Sequence, residues 1–208
     1  MPILCRDYDL LFAHVPKNGG TFVERVLFQH LDGERVGRKH HSYRRVEAKL
    51  DPPPSIRVFT VREPLSWYKS YWAHARAVTK RGSAWPIWEA GDPDHPTNPI
   101  DRTGGAPNFE RFIRKVLKNF PNGFVRSMYC NFLNGSTHVL RTSYLSDDME
   151  KLLEIVGHSN PSIVRDWPVA NAGVKAFKEQ AVLPPRLEAR IIEVDNLDGL
   201  NLPYIAEM

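Results

Sequence analysis

Short apolar runs and amphipathic stretches alternate along the first part of this chain. "DLLFAHV", residues 9–15, is an apolar run ending at Pro16 and predicts a buried strand. From Thr21 the apolar positions fall at Val23, Val26, Leu27 and Leu31, one face of a helix, until Asp32-Gly33 closes it. A second helix is expected from Ser42 to Leu50, where "DPPP" breaks the chain. "IRVFTV", 56–61, predicts the next strand, which ends at Arg62. Leu65, Tyr68, Trp72, Ala75 and Val78 then lie close to a helical stripe, with Pro64 at a natural first-turn position. Strand, loop and helix therefore occur twice, each time with polar residues at the strand's carboxyl end. In open parallel sheets that edge is where ligands bind.

Farther along, residues 80–107 are rich in Gly and Pro and hold Trp85 and Trp88. A loop this long in a compact domain is usually functional or disordered, and large aromatics favour a surface to bury against. The stretch is expected on the acceptor side of a site. Asn108 caps an amphipathic helix with Phe109, Phe112, Ile113, Val116, Leu117 and Phe120 inward. "THVLRTSYL" is a third strand candidate. "SDDMEKLLEIVG" reads as a helix with a Ser cap, an acidic first turn and a terminal Gly. Pro184-Pro185 open a last helix. No repeat and no linker interrupts the pattern, which predicts a single α/β domain over 1–208: three layers around a central parallel sheet.

Composition narrows the partners. The chain has 208 residues, 42% hydrophobic and 25% charged, an ordinary globular balance. No apolar stretch approaches a membrane span, and the first residues lack the pattern of a secretory leader. A cytoplasmic protein without a membrane partner is expected. The two cysteines, Cys5 and Cys130, have no metal-ligand spacing and read as reduced thiols, with one disulfide left open. Net charge is +4, which favours anionic partners. "RVGRKHHSYRR", 35–45, concentrates that charge with no acid among its residues.

The chemistry centres on "AHVPKNGGTFVERVL", 13–27. A strand, then Pro-Lys-x-Gly-Gly-Thr, then a helix turns backbone N–H groups toward an anion, with the helix dipole adding up to about 1 kcal/mol. Lys17 supplies a charge and Thr21 a hydroxyl at the helix start. The lysine precedes the glycines, so the GxxxxGK[ST] nucleotide loop is absent. The second strand ends in Arg62 rather than in an acid that could organise magnesium. Both features suit a phosphate group held without metal.

These residues carry a resemblance. "FAHVPKNGGTFVERVL" resembles the 5′-phosphosulfate loop of carbohydrate-type sulfotransferases. "FTVREPLSWYKSYW" is similar to their 3′-phosphate segment, an Arg-acid-Pro followed by a Ser eight residues after the Arg. "GRKHHSY" lies between the two, where those enzymes carry a catalytic base. "RTSYLSDDMEKLLEIVG" is similar to a later strand-helix segment in bacterial members. Two positions depart: Trp67 stands where many members have a second Arg, and Ser143 where the later segment often has Glu.

The resemblance implies a P-loop-like sulfotransferase fold and the donor 3′-phosphoadenosine 5′-phosphosulfate. It implies transfer of a sulfuryl group to an acceptor hydroxyl, carbohydrate-like by analogy, with no metal. Lys17 would neutralise the bridging oxygen as the sulfur–oxygen bond breaks. Asn18, Gly19, Gly20, Thr21 and Phe22 would cradle the 5′-phosphate. Arg62 and Ser70 would bind the 3′-phosphate. His41 fits the family's Lys-His pattern best as proton acceptor, with His40 as alternative. His14 reads as a structural histidine beside the loop. Competing readings are a small-molecule or nucleotide kinase, and a non-catalytic polyanion binder resting on the basic run, nucleic acid being the less expected partner.

Overall fold

The computed structural model describes residues 1–80, 92–167 and 175–207. Its strands are β1 (Ile3–Cys5), β2 (Leu10–Ala13), β3 (Glu34–Arg35), β4 (Ile56–Val61) and β5 (His138–Arg141), in one mixed sheet ordered β3-β1-β2-β4-β5. β2, β4 and β5 run parallel, with Leu10 beside Ile56 and Val58 beside His138. β1 is antiparallel to β2, Ile3 facing Phe12, and β3 is antiparallel to β1. The expected parallel sheet is therefore only its central part. The antiparallel edge arises because Arg6–Tyr8 form a 3-10 turn and Asp9 takes φ 49°, folding β1 back onto β2. At three residues, β1 is too short to show a period in the sequence.

The helices are α1 (Gly20–His30), α2 (Tyr43–Val46), α3 (Pro64–Lys80), α4 (Asn98–Asp101), α5 (Phe109–Asn119), α6 (Phe124–Leu133), α7 (Leu145–Ile155), α8 (Lys175–Glu179) and α9 (Pro185–Val194). α2 is shorter than expected; the chain tightens into a 3-10 turn over Glu47–Lys49. By its internal contacts the chain divides into two compact units, each from separated segments. The first comprises Met1–Arg62, Cys130–Asn171 and Leu200–Met208; the second Glu63–Tyr129 and Ala172–Gly199.

The first unit holds the sheet. Side chains alternate across a strand, so Ile3, Cys5, Leu10 and Phe12 share one face with Val58. They bury against Val23, Val26 and Leu27 of α1 and Met149, Leu152 and Leu153 of α7. Leu4 and Leu11 point the other way and meet Tyr43, Val46 and Leu50. Asp148, fully buried, fixes the start of α7 to β5: it takes the backbone N–H of Arg141 at 2.6 Å and that residue's guanidinium at 2.6 Å. Both cysteines are free thiols. Burial, helped by Asp32 and Glu34, pushes the Cys5 thiol up to about 12.

The second unit is aromatic. Trp67 stacks on Tyr71 with centroids 5.0 Å apart, and Trp72 packs on Phe109 at 5.5 Å. Asn108 caps α5 as expected, its side chain accepting from the N–H of Arg111 at 3.0 Å. α6 was not legible in the sequence, because its cap comes from elsewhere in the chain. The buried Asp195 carboxylate takes the N–H of Arg126 at 2.9 Å and the Tyr68 hydroxyl at 2.7 Å. Burial raises the Asp195 carboxyl and holds the Tyr68 phenol well above its ordinary range. Trp85 and Trp88 lie outside the described residues; in the rest of 80–107, Tyr71 donates its hydroxyl to Asp101 of α4. Among the described residues no helix is long and apolar enough to cross a membrane.

Candidate functional site

β2 ends at Ala13, and the chain turns through His14–Gly19 into α1. Three hydrogen bonds fix this loop to the carboxyl ends of the neighbouring strands. Asn18, fully buried, donates its amide to Thr60 O at 2.6 Å. The Thr142 hydroxyl lies 3.1 Å from Asn18 O and 2.7 Å from Val61 O. Arg62 donates to Lys17 O at 3.2 Å. Lys17 and Arg62, expected to share a site, are thus brought together at the end of β4.

The loop backbone is unusual. Lys17 holds φ 66° and Gly19, the residue capping α1, φ 77°. The left-handed region costs a non-glycine residue about 1–2 kcal/mol, and such strain gathers at functional sites. First-turn N–H groups lie outside a helix's own ladder. Here Phe22 N bonds Gly19 O at 2.9 Å, closing the first turn of α1. No acid stands in the first turn of α1 to offset its positive end. The Thr60 hydroxyl, buried in β4 beside the loop's anchor, has no hydrogen-bond partner among the described residues.

Some expected roles contract. The Phe22 ring is buried in the core, so that residue cannot meet a ligand through its side chain. Gly20 is required by a neighbour: a Cβ there would lie 2.3 Å from the His14 ring. Ser70 is nearly buried on α3, in the second unit. Trp67, at the family's arginine position, is fully buried among Tyr68, Tyr71 and Phe124 and belongs to the core. The Glu63 carboxylate of "REP" takes the N–H groups of Leu65 and Ser66 at 2.7 and 2.6 Å, capping α3.

The histidines sit beside the loop in the first unit. His14 Nδ1 is 2.7 Å from Glu24 Oε1. Burial lowers the His14 pKa despite that carboxylate, so His14 stays neutral near pH 7. Burial works against the Glu24 charge too, but its bond to His14 and the nearby amino terminus prevail and hold it below its ordinary value. His40 is 8% exposed, has φ 62°, and places Nδ1 2.7 Å from His14 O. The two rings meet edge-on, centroids 4.7 Å apart. His41 is half-buried, and its Nδ1 receives the N–H of Arg38 at 3.3 Å. Arg35, Arg38, Lys39, Arg44 and Arg45 are exposed, leaving the basic run on the surface.

Sequence reading missed Thr142, Thr60 and Glu24. Thr142 bonds the backbone of Asn18 and Val61 from far along the chain, and no local pattern marks any of the three. Comparison with known proteins finds no family model, no curated protein and no solved structure that matches the chain.

Proposed function

We propose that the chain is a sulfotransferase of P-loop-like fold, moving a sulfuryl group from 3′-phosphoadenosine 5′-phosphosulfate to an acceptor hydroxyl. The observation that carries this reading is the joint at the end of β4: a strained lysine loop opening a helix, with Arg62 bonded to its backbone. Two cations and a helix N-terminus without first-turn acid would suit an anion. A kinase would place an acid at that strand end to organise magnesium.

The donor supplies an activated sulfuryl group and a stable phosphate leaving group. Gly20 and Thr21 would hold its 5′ end through their amides, and Lys17 would meet the charge that grows on the bridging oxygen. Arg62 would serve the 3′-phosphate, with Ser70 carried over from the family's motif. A histidine of the 40–41 pair would take the acceptor's proton. The exposed cations of 35–45 favour an acceptor that is itself anionic; a carbohydrate-like acceptor follows only from the family resemblance.

Thermal unfolding with 3′-phosphoadenosine 5′-phosphate, AMP or ATP-magnesium tests the reading on wild type, Lys17→Ala and Arg62→Ala. At a hundredfold excess over Kd the 3′-phosphorylated nucleotide should add about 2.7 kcal/mol. Both substitutions should weaken the effect. Stabilisation by ATP-magnesium instead would move the protein to the kinases. No selective nucleotide effect, with steeply salt-dependent DNA binding, would make it a polyanion binder.

A further inference from the structure

Asparagine followed by glycine occurs three times in the chain, at Asn18-Gly19, Asn122-Gly123 and Asn134-Gly135. Such a pair is chemically unstable wherever the glycine nitrogen can swing onto the side-chain amide, because glycine has no Cβ to hinder the approach. The fold treats the three differently. Asn18 is fully buried, and its carboxamide is fixed by the bond to Thr60 O at 2.6 Å. Asn122 is exposed, but Gly123 is buried and gives its N–H to Phe120 O at 3.1 Å. A Cβ on Gly123 would run into Val194 O, so the backbone there is walled in. Asn134 and Gly135 are both exposed, in the turn between α6 and β5. The turn's own bonds pass around them: Asn134 N donates to Cys130 O at 3.3 Å and Ser136 N to Leu133 O at 2.9 Å. Neither the Asn134 carboxamide nor the Gly135 N–H has a hydrogen-bond partner among the described residues.

We propose that Asn134 is a site of spontaneous covalent modification, the one of the three pairs placed to convert to aspartate and isoaspartate in the folded chain. The Gly135 backbone nitrogen loses its proton to solvent base and attacks the carbonyl carbon of the Asn134 side chain. The carbon–nitrogen bond of the carboxamide breaks, and its nitrogen leaves as ammonia. A five-membered succinimide ring remains. Water then adds to one of the two ring carbonyls. One opening gives aspartate. The other gives isoaspartate, in which the main chain runs through the former side-chain carbonyl. The balance is amide plus water to carboxylate plus ammonium. The assignment is independent of the sulfotransferase reading.

The turn has little room for the longer product. Gly135 takes φ 85°, and a Cβ on it would meet the Tyr43 ring at 2.5 Å. Its carbonyl accepts from the Arg57 guanidinium, which lies over the same ring, 5.0 Å from the centroid. Isoaspartate adds one backbone atom before Gly135, and the extended turn presses on that ring. Tyr43 is the first residue of α2, so the strain passes to the helix that follows the basic run. The new carboxylate also stands at the carboxyl end of α6, where the helix dipole disfavours an anion. Each conversion lowers the formal charge of +4 by one.

The full chain is aged in mildly alkaline buffer, folded or in guanidinium chloride, and peptide-mapped by mass spectrometry at intervals. In denaturant the three pairs should react at similar rates, since only the dipeptide is left to set them. In the folded chain Asn134 should convert first, with Asn18 and Asn122 about tenfold or more behind, because each must wait for local opening. Asn134→Gln should stay a single band on isoelectric focusing over the same period, because the six-membered ring it would need closes far more slowly. The wild type should grow a more acidic band. Hydrogen exchange at the amides of 43–46 should quicken in the separated isoaspartyl fraction and not in Asn134→Asp, which carries the charge without the extra backbone atom. Conversion at Asn122 or Asn18 ahead of Asn134, or an Asn134 as slow as both in the folded chain, overturns the assignment. Unchanged exchange at 43–46 in the isoaspartyl fraction overturns the strain on Tyr43.

Discussion

Around residues 14–20, cohesion comes from single hydrogen bonds between side chains and backbone carbonyls; around Trp67 it comes from stacked rings. The loop holds a strained left-handed dihedral at Lys17, with Gly19 taking the left-handed conformation freely. The Trp67 cluster has no such tension: its rings are buried and parallel or edge-on. The contrast is that of a polar, hydrogen-bonded turn and an apolar packed cluster. One region concentrates polar contacts and a left-handed lysine, and the other buries apolar area.

The sharpest break of that contrast is Trp67→Ala, which should cost about 4 kcal/mol in urea unfolding, the usual range for emptying a buried tryptophan site. If it costs under half that, the cluster is not the close-packed core described. Next comes Gly20→Ala. Its methyl would meet the His14 ring, and overpacking of this kind costs about 2 kcal/mol. The double variant with His14→Ala should recover most of the loss, so a double-mutant cycle reads the contact directly. Additive effects would refute it.

Thr142→Val keeps the shape of the loop's anchor and removes its hydroxyl, at about 1 kcal/mol. The larger consequence should be on nucleotide affinity, measured by calorimetry. Lys17→Gly should do the opposite to stability: relief of the left-handed strain adds about 1 kcal/mol while ligand binding is lost. A destabilised Lys17→Gly would mean the loop is relaxed as it stands.

The smallest effect is a pH slope. Burial holds the folded-state pKa of His14 and His138 below the ordinary 6.5. The unfolded chain then binds protons more readily, so stability is full above pH 6.5 and falls as the pH drops through the folded values. His138→Gln should flatten part of that slope in chemical unfolding followed from pH 7.5 to 5.5.

The alternation of apolar runs made β2, β4 and the helices α1, α3, α5, α7 and α9 legible, because each carries its own period or cap. The antiparallel edge was not legible: β1 is three residues long, and its partner lies across a turn set by the backbone of Asp9. α6 was hidden because its capping carboxylate is Asp195, far along the chain. At the site, "PKNGGT" and Arg62 stood out by residue type, and their joint at Lys17 O follows from chain order around parallel strands. Thr142 did not stand out, since a threonine after a strand has many uses. Trp67 drew attention as a departure from a family pattern, yet its position is explained by the rings around it.

The contact between His14 and Gly20 reaches beyond stability, into how this sequence can drift. With an imidazole filling the space where a side chain would begin, any residue but glycine at position 20 forces that ring to move for as long as position 14 is histidine. A smaller residue at 14 would reopen it and would also detach Glu24 from its partner. Changes at positions 14, 20 and 24 are thus coupled through one ring, a linked inheritance.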